Sequence, residues 1–204
     1  MGDFMSKKLK RASFFKRCMA QIIDMFIIGV IIGITTMGFN TSKMGKLDEE
    51  LINLMDSYTS GDITTDKYID DYTDIMYDIN KASFNNNLVY LVICVGYFLI
   101  FQFLNKGATI GKKIMHIRVV SNDGVDASFL QMFIRTSIIN EIIPISMLLI
   151  LVMVSSGGLF FTFYSVISVI ENIFVISCIF MILYRSDKLA LHDIMSKSMV
   201  IDEV

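Results

Sequence analysis

CMAQIIDMFIIGVIIGITTMGF, residues 18–39, is the stretch on which the fold turns. Gln21 and Asp24 interrupt an otherwise apolar run, and about 20 such residues, rising ~1.5 Å each, cross the ~30 Å hydrocarbon core of a bilayer. Residues 88–104 repeat the pattern, with Gln102 near their end. Residues 142–184 are apolar for too long to form one helix, and Ser155-Ser156-Gly157-Gly158 offers the natural place to fold them back. The first arm of that hairpin, 142–154, covers only about 20 Å unless 136–141 extends it. A turn at Glu171-Asn172 would instead leave 173–184, about 18 Å, as the last span. The expected fold is an all-α membrane protein with about four transmembrane helices.

Composition agrees. Hydrophobic residues make up 54% of the chain and charged ones 19%, with one proline, no tryptophan, 15 methionines and 16 phenylalanines. That balance suits long uninterrupted helices with adaptable packing. No basic tract points to nucleic acid. Cys18, Cys94 and Cys178 stand singly in or beside apolar runs, without paired-cysteine spacing and with only His116 and His192 to join them; they read as packing residues, and no metal or other cofactor is expected.

Basic residues near span ends stay on the cytoplasmic side. Lys7, Lys8, Lys10, Arg11, Lys16 and Arg17 precede the first span. Lys106, Lys112, Lys113 and Arg118 follow the second, and Arg185, Lys188 and Lys197 follow the last. With four spans all three groups share one side, so both termini are expected in the cytoplasm. The first apolar run is long, carries Asp24 and lacks a small-x-small site, which argues against a cleaved signal peptide. The chain thus divides into 1–39, basic N-terminus and first span; 40–87, outer segment; 88–104, second span; 105–141, inner loop; 142–184, membrane hairpin; and 185–204, tail.

The outer segment holds ten acids against four lysines, and its apolar residues recur at helical spacing on either side of Ser60-Gly61-Asp62. It reads as an extracytoplasmic helical hairpin whose second helix Thr64 or Thr65 caps. In the inner loop, 114–120 alternates like a strand and runs into an Asn122-Asp123-Gly124 turn, while 128–139 reads as an interfacial helix. The strand is expected to pair with 199–201 in the tail as a short cytoplasmic β pair.

Few residues can carry chemistry. Asp24 lies about 10 Å deeper than Arg17 along one helix face, and a carboxylate at that depth calls for a partner, Arg17 or Arg135, or a role as a proton or cation site. Glu171 stands mid-span in a segment without basic residues; it can exchange a proton or bond to another helix. Gly29 and Gly33 form a small face suited to close helix packing. Gly107-Ala108-Thr109-Ile110-Gly111-Lys112-Lys113 has the wrong spacing for a phosphate loop and lacks the closing Ser or Thr. Asp66, Asp70, Asp74 and Asp78 make an i,i+4 stripe, a solvated face or a weak cation-collecting surface. Apart from His192-Asp193 at a span end, no nucleophile, metal or acid–base cluster stands at credible spacing, and an enzyme is not expected.

Arg17-Cys18-Met19-Ala20-Gln21-Ile22-Ile23-Asp24 resembles the opening signature of the RDD family of small bacterial membrane proteins, named for one arginine and two aspartates. Gly107 to Ile114, then Arg118-Val119-Val120, Asp123-Gly124 and Arg135, looks like the family's inner loop, and Leu189 to Ile194 with Met199-Val200 like its closing segment. The resemblance matches Arg17 and Asp24 to the first two signature positions and Asp193 to the last. It implies a polytopic helical fold and transport; sodium–proton antiport has been proposed for some members. The long acidic outer segment departs from the simplest family pattern.

The resulting expectation is a small transporter in the cell membrane, homo-oligomeric or completed by a partner subunit. It would exchange a monovalent cation or small solute for protons, with Asp24 and Glu171 as coupling carboxylates and Arg17 at the mouth. The rival is a non-transporting accessory or toxin-immunity protein acting through the acidic hairpin.

Overall fold

A computed structural model describes residues 10–37 and 41–203. Lys7, Lys8 and the junction of the first span with the acidic segment at residues 38–40 lie outside the described residues. The elements are α1 (Phe14–Thr36), α2 (Thr41–Thr59), α3 (Thr65–Ala82), α4 (Phe84–Leu104), α5 (Ile110–Ile114), β1 (Ile117–Ser121), α6 (Phe129–Ile139), α7 (Ile142–Val154), α8 (Gly157–Tyr184), α9 (Leu191–Met195) and β2 (Ser198–Asp202). Helices α1, α4 and α8 are each long and apolar enough to span a membrane, and α6 with α7 forms a fourth span if that broken pair counts as one. The protein is therefore a mostly helical membrane protein of three to four candidate spans with one small sheet.

Two compact units divide the chain, one from the described residues up to Ile31 with Ile93–Ile142 and those from Asn172 onward, the other from Ile32–Val92 and Ile143–Glu171. In the first, α1 buries Ala20, Asp24 and Ile28, one residue per turn on a single stripe, and exposes Phe15, Ile22, Phe26 and Val30, which suits contact with lipid. Gly29 leaves this stripe: a Cβ there would meet nothing within 4 Å, and the same holds at Gly33. Close helix packing, the reading of that glycine face, is thus not made among the described residues.

The expected strand at 114–120 is shortened. Thr109 caps a turn of helix, its hydroxyl accepting from Lys112 N at 3.3 Å; this carries the chain to Ile114, and β1 starts only after His116, which has φ +53. β1 then pairs antiparallel with β2, Val119 opposite Val200. An isolated two-stranded ribbon is marginal in water. Here Ala12 N donates to Val200 O at 3.0 Å along the free edge, and Ile117, Val119 and Val200 pack with Met132 of α6, Ala20 of α1 and Leu99 of α4. α6 opens with a capping box between Ser128 and Gln131 and ends ahead of Glu141, whose φ is +58; the interfacial helix and the short first arm of the membrane hairpin are the two halves of the broken pair.

The second unit holds the helical hairpin. Gly61, with φ +81, turns the chain between α2 and α3, and Thr64 caps α3 by accepting from Lys67 N at 3.3 Å. Leu47 and Leu54 of α2 are buried, and a ladder of rings, Tyr58 on Tyr68 at 4.4 Å and Tyr68 on Tyr72 at 5.8 Å, joins the helices. Tyr72 and Tyr77 meet Phe161 and Phe160 of α8 edge-on, so the hairpin is tied to a membrane helix. α7 ends at Val154 and α8 starts at Gly157, as the Ser-Ser-Gly-Gly cluster suggests. The alternative turn at Glu171-Asn172 is absent, since α8 runs through it.

Candidate functional site

The first unit concentrates the buried charge. Asp24 is fully buried and accepts three hydrogen bonds, from Tyr97 OH to Oδ1 at 2.6 Å, Thr109 Oγ1 to Oδ2 at 2.5 Å and Gly111 N to Oδ1 at 2.7 Å. Tyr97 lies in a π-helical stretch of α4, Val95–Phe101, a distortion that re-aims side chains within a helix, and its hydroxyl also accepts from Ile110 N at 3.2 Å. Gly111 is required by contact: a Cβ there would collide with Ala20 O and with the Asp24 carboxylate. Gly107, at φ +92, would collide with Val119 O, the neighbour whose N–H donates to Gly107 O at 3.0 Å. The loop that failed as a phosphate cradle therefore seats on α1, with Asp24 as its anchor.

The expected arginine partner for Asp24 is not there. Arg17 and Arg135 both turn to Asp193, Arg17 Nη1 reaching Oδ2 at 2.8 Å and Arg135 Nη1 bonding Oδ1. The reason is depth. Asp24 sits two turns along α1 from Arg17 and finds neutral donors at its own level. β2 pairing brings α9, and with it Asp193, to the level of Arg17. Ala190 N adds a bond to Asp193 Oδ2 at 2.9 Å, and Ser198 Oγ lies 3.1 Å from Arg135 Nη1. Two guanidiniums thus share one fully buried carboxylate.

The surroundings titrate accordingly. Burial pulls Asp193 toward its neutral form, but Arg135 chiefly, with Arg17 and the Ala190 N–H, outweighs it and holds the carboxyl far below the usual range. Burial together with the charge of Arg135 pushes His192 down to about 3, so its contact with Asp193 at 3.4 Å is that of a neutral imidazole at physiological pH. Lys112 is brought down to about 7 by burial and then by Arg135, partly offset by Asp24 and Asp193. Its ammonium donates to Gln102 Oε1 at 3.1 Å.

Beside this cluster opens a cavity of about 320 Å³ bordered by Arg17, Gln21, Lys112, Arg135, Asn140 and His192 among mostly apolar walls. The Arg17 side chain is 9% exposed, and its Nε has no hydrogen-bond partner among the described residues. Of the residues singled out from sequence, Arg17, Asp24, Arg135 and Asp193 come together in this unit. Glu171 lies half-buried in the middle of α8, in the second unit. Tyr97, Thr109 and Lys112 went unrecognised as site residues. The signal for the last two was the glycine-spaced inner loop itself.

No curated protein and no solved structure matches the chain. The sequence model of the RDD family matches residues 11–197, from the bridge residue Arg11 ahead of α1 to the turn after α9, and so takes in both buried carboxylates and both arginines. With nearly the whole described length covered, the chain belongs to the RDD family.

Proposed function

We propose that the chain is a small multi-pass carrier in the cell membrane, with both termini in the cytoplasm. It exchanges a small solute for protons as a homo-oligomer or with a partner subunit. The observation that carries this reading is the cavity beside Arg17, Arg135 and Lys112, since soluble ligands bind in mostly apolar clefts with a few convergent polar groups. Of the two cargo classes that family resemblance and charge suggest, monovalent cations and small solutes, the lining supports the solute. Among the described residues three basic side chains border it against one carboxylate, Glu141, and the neighbouring Asp193 carboxylate is already shared by both arginines.

Asp24 suits anchoring more than proton exchange, because three donors occupy its oxygens. Lys112, brought to about 7, is the group on the cavity wall that changes charge near neutrality. Glu171, mid-way along α8, is the second proton-handling candidate.

Proteoliposomes with an internal pH-sensitive dye test the reading. Organic-anion gradients should move protons, Lys112→Met should abolish the movement, and sodium or potassium gradients should leave the dye unchanged. A flat response to every solute would refute the carrier. It would favour the accessory or immunity role, for which the exposed face of Asp66, Asp70, Asp74 and Asp78 on α3 is the supporting feature; deletion of that hairpin would then abolish function.

A further inference from the structure

Two guanidiniums on one carboxylate leave the Arg17–Asp193–Arg135 group with one uncompensated positive charge. In a buried setting such a charge is costly without a counter-ion. His192 is neutral, and Asp24 spends its oxygens on Tyr97, Thr109 and Gly111. Among the described residues lining the cavity, Glu141 is the one carboxylate, against Arg17, Lys112 and Arg135. The wall is therefore net basic, and the Lys112 ammonium retains donors beyond its bond to Gln102.

Arg17 Nε points to what is missing. It is a buried N–H donor without a partner among the described residues, on a side chain that lines the cavity, and buried donors of this kind are rare unless a ligand or water completes them. Much of the remaining wall is hydrocarbon, from Phe14 of α1 and Phe174, Ile179 and Ile182 of α8. A free inorganic anion would satisfy the charge and leave those walls bare. A volume of about 320 Å³ stands at the small end of ligand sites, too small to enclose a whole diacyl lipid.

We infer that this cavity binds a short-chain amphiphilic oxyanion, an alkyl carboxylate or alkyl phosphate, its head on Arg17 Nε and the Lys112 ammonium and its tail along α8. The inference rests on reading the cavity as the solute site. Carboxylate and phosphate heads share the relevant chemistry, since both accept charge-assisted bonds from guanidinium and ammonium donors.

The experiment is calorimetric titration of the purified full chain in a neutral maltoside detergent. The probes are octanoate, octyl phosphate, inorganic phosphate, octyltrimethylammonium and phosphatidylglycerol, with the heat of each into empty micelles subtracted. Octanoate and octyl phosphate should bind saturably, inorganic phosphate at least tenfold more weakly, and the cationic amphiphile not at all. Arg17→Lys keeps a positive charge for Asp193 and removes the Nε–H; it should bind at least tenfold more weakly. Ile182→Trp fills the apolar end without touching any charge. It should weaken octyl phosphate by a similar factor while leaving the inorganic phosphate response unchanged, so the test stands even if Arg17→Lys fails to fold. Equal binding of inorganic phosphate, saturable binding of phosphatidylglycerol with neither octyl anion, or wild-type binding in both variants would each overturn the proposal. Because binding is read at equilibrium and carriage as flux, octyl-anion binding without flux keeps this site and removes the carrier, whereas flux without binding removes the site.

Discussion

Replacing Asp193 with Asn and Asp24 with Asn should have unequal costs, because the two buried carboxylates answer to different partners. Asp193→Asn strands both Arg17 and Arg135: one amide oxygen survives to accept from Ala190 N, and the new NH2 group faces a guanidinium donor. Removing one member of a buried ion group costs about 3–5 kcal/mol. Asp24→Asn strands no charge. Its amide oxygen can still accept from Tyr97 OH and Gly111 N, and the Thr109 hydroxyl, which donates to Oδ2 in the native protein, can rotate to accept from the new NH2. The loss is then that of charge-assisted bonds becoming neutral ones, about 1–3 kcal/mol.

For a chain of this length about 1 kcal/mol moves the melting temperature by roughly 2–4 °C. Asp193→Asn should therefore lose about 6–20 °C and Asp24→Asn about 2–12 °C, read as the fraction remaining monodisperse in detergent after heating. A double variant, Arg17→Met with Asp193→Asn, should recover part of the loss, because one of the stranded charges is gone. If Asp24→Asn proves as damaging as Asp193→Asn, the partition of partners described here is wrong, and Asp24 carries a charge pairing that the described contacts do not include.

Acid should destabilise the protein through His192. Its folded pKa, about 3, lies below the ordinary 6.5, so the unfolded chain takes up the proton first; the contribution is whole above about 6.5 and is lost as pH falls toward 3. Melting curves from pH 7 to 4 should slope less for His192→Gln than for the native chain. Gly111→Ala should cost about 1–3 kcal/mol or more, since its Cβ meets the Ala20 carbonyl. Gly29→Ala, facing open space in the interior of α1, should leave the melting temperature no lower than that of the native chain. For orientation, an impermeant maleimide on intact cells should label Ser60→Cys and spare Asp123→Cys, both at exposed turn positions. The reverse pattern would invert the assigned sidedness.

The large elements were legible because their cause is local. Apolar length announces α1, α4 and α8, turn residues announce the break at Ser155-Ser156, and alternation next to Asn122-Asp123-Gly124 announces the ribbon that closes against β2. Where competing local signals met, the boundary moved: the turn of helix that Thr109 caps runs to Ile114, the first residue of the expected strand, and the strand begins only at Ile117. The partners of the charges were not legible in the same way. Arg17 and Asp24 stand on one helix face, and sequence spacing alone makes them look like a pair, but spacing says nothing of what arrives from elsewhere at each level. Asp24 is met by Thr109 and Gly111 because two glycines let the inner loop lie against α1. Arg17 is met by Asp193 because β2 draws the tail back under the first helix. Both outcomes depend on the ribbon, whose β1 begins just past the loop and whose β2 begins just past α9. The small sheet is thus the element that decides which carboxylate each arginine reaches, and breaking it, with Val120→Pro opposite Met199, at a position whose neighbours Val119 and Ser121 donate away from β2, should separate Arg17 from Asp193 while leaving the membrane helices formed. Loss of helical circular dichroism in that variant, rather than loss of thermal stability alone, would show that the ribbon also holds the spans together.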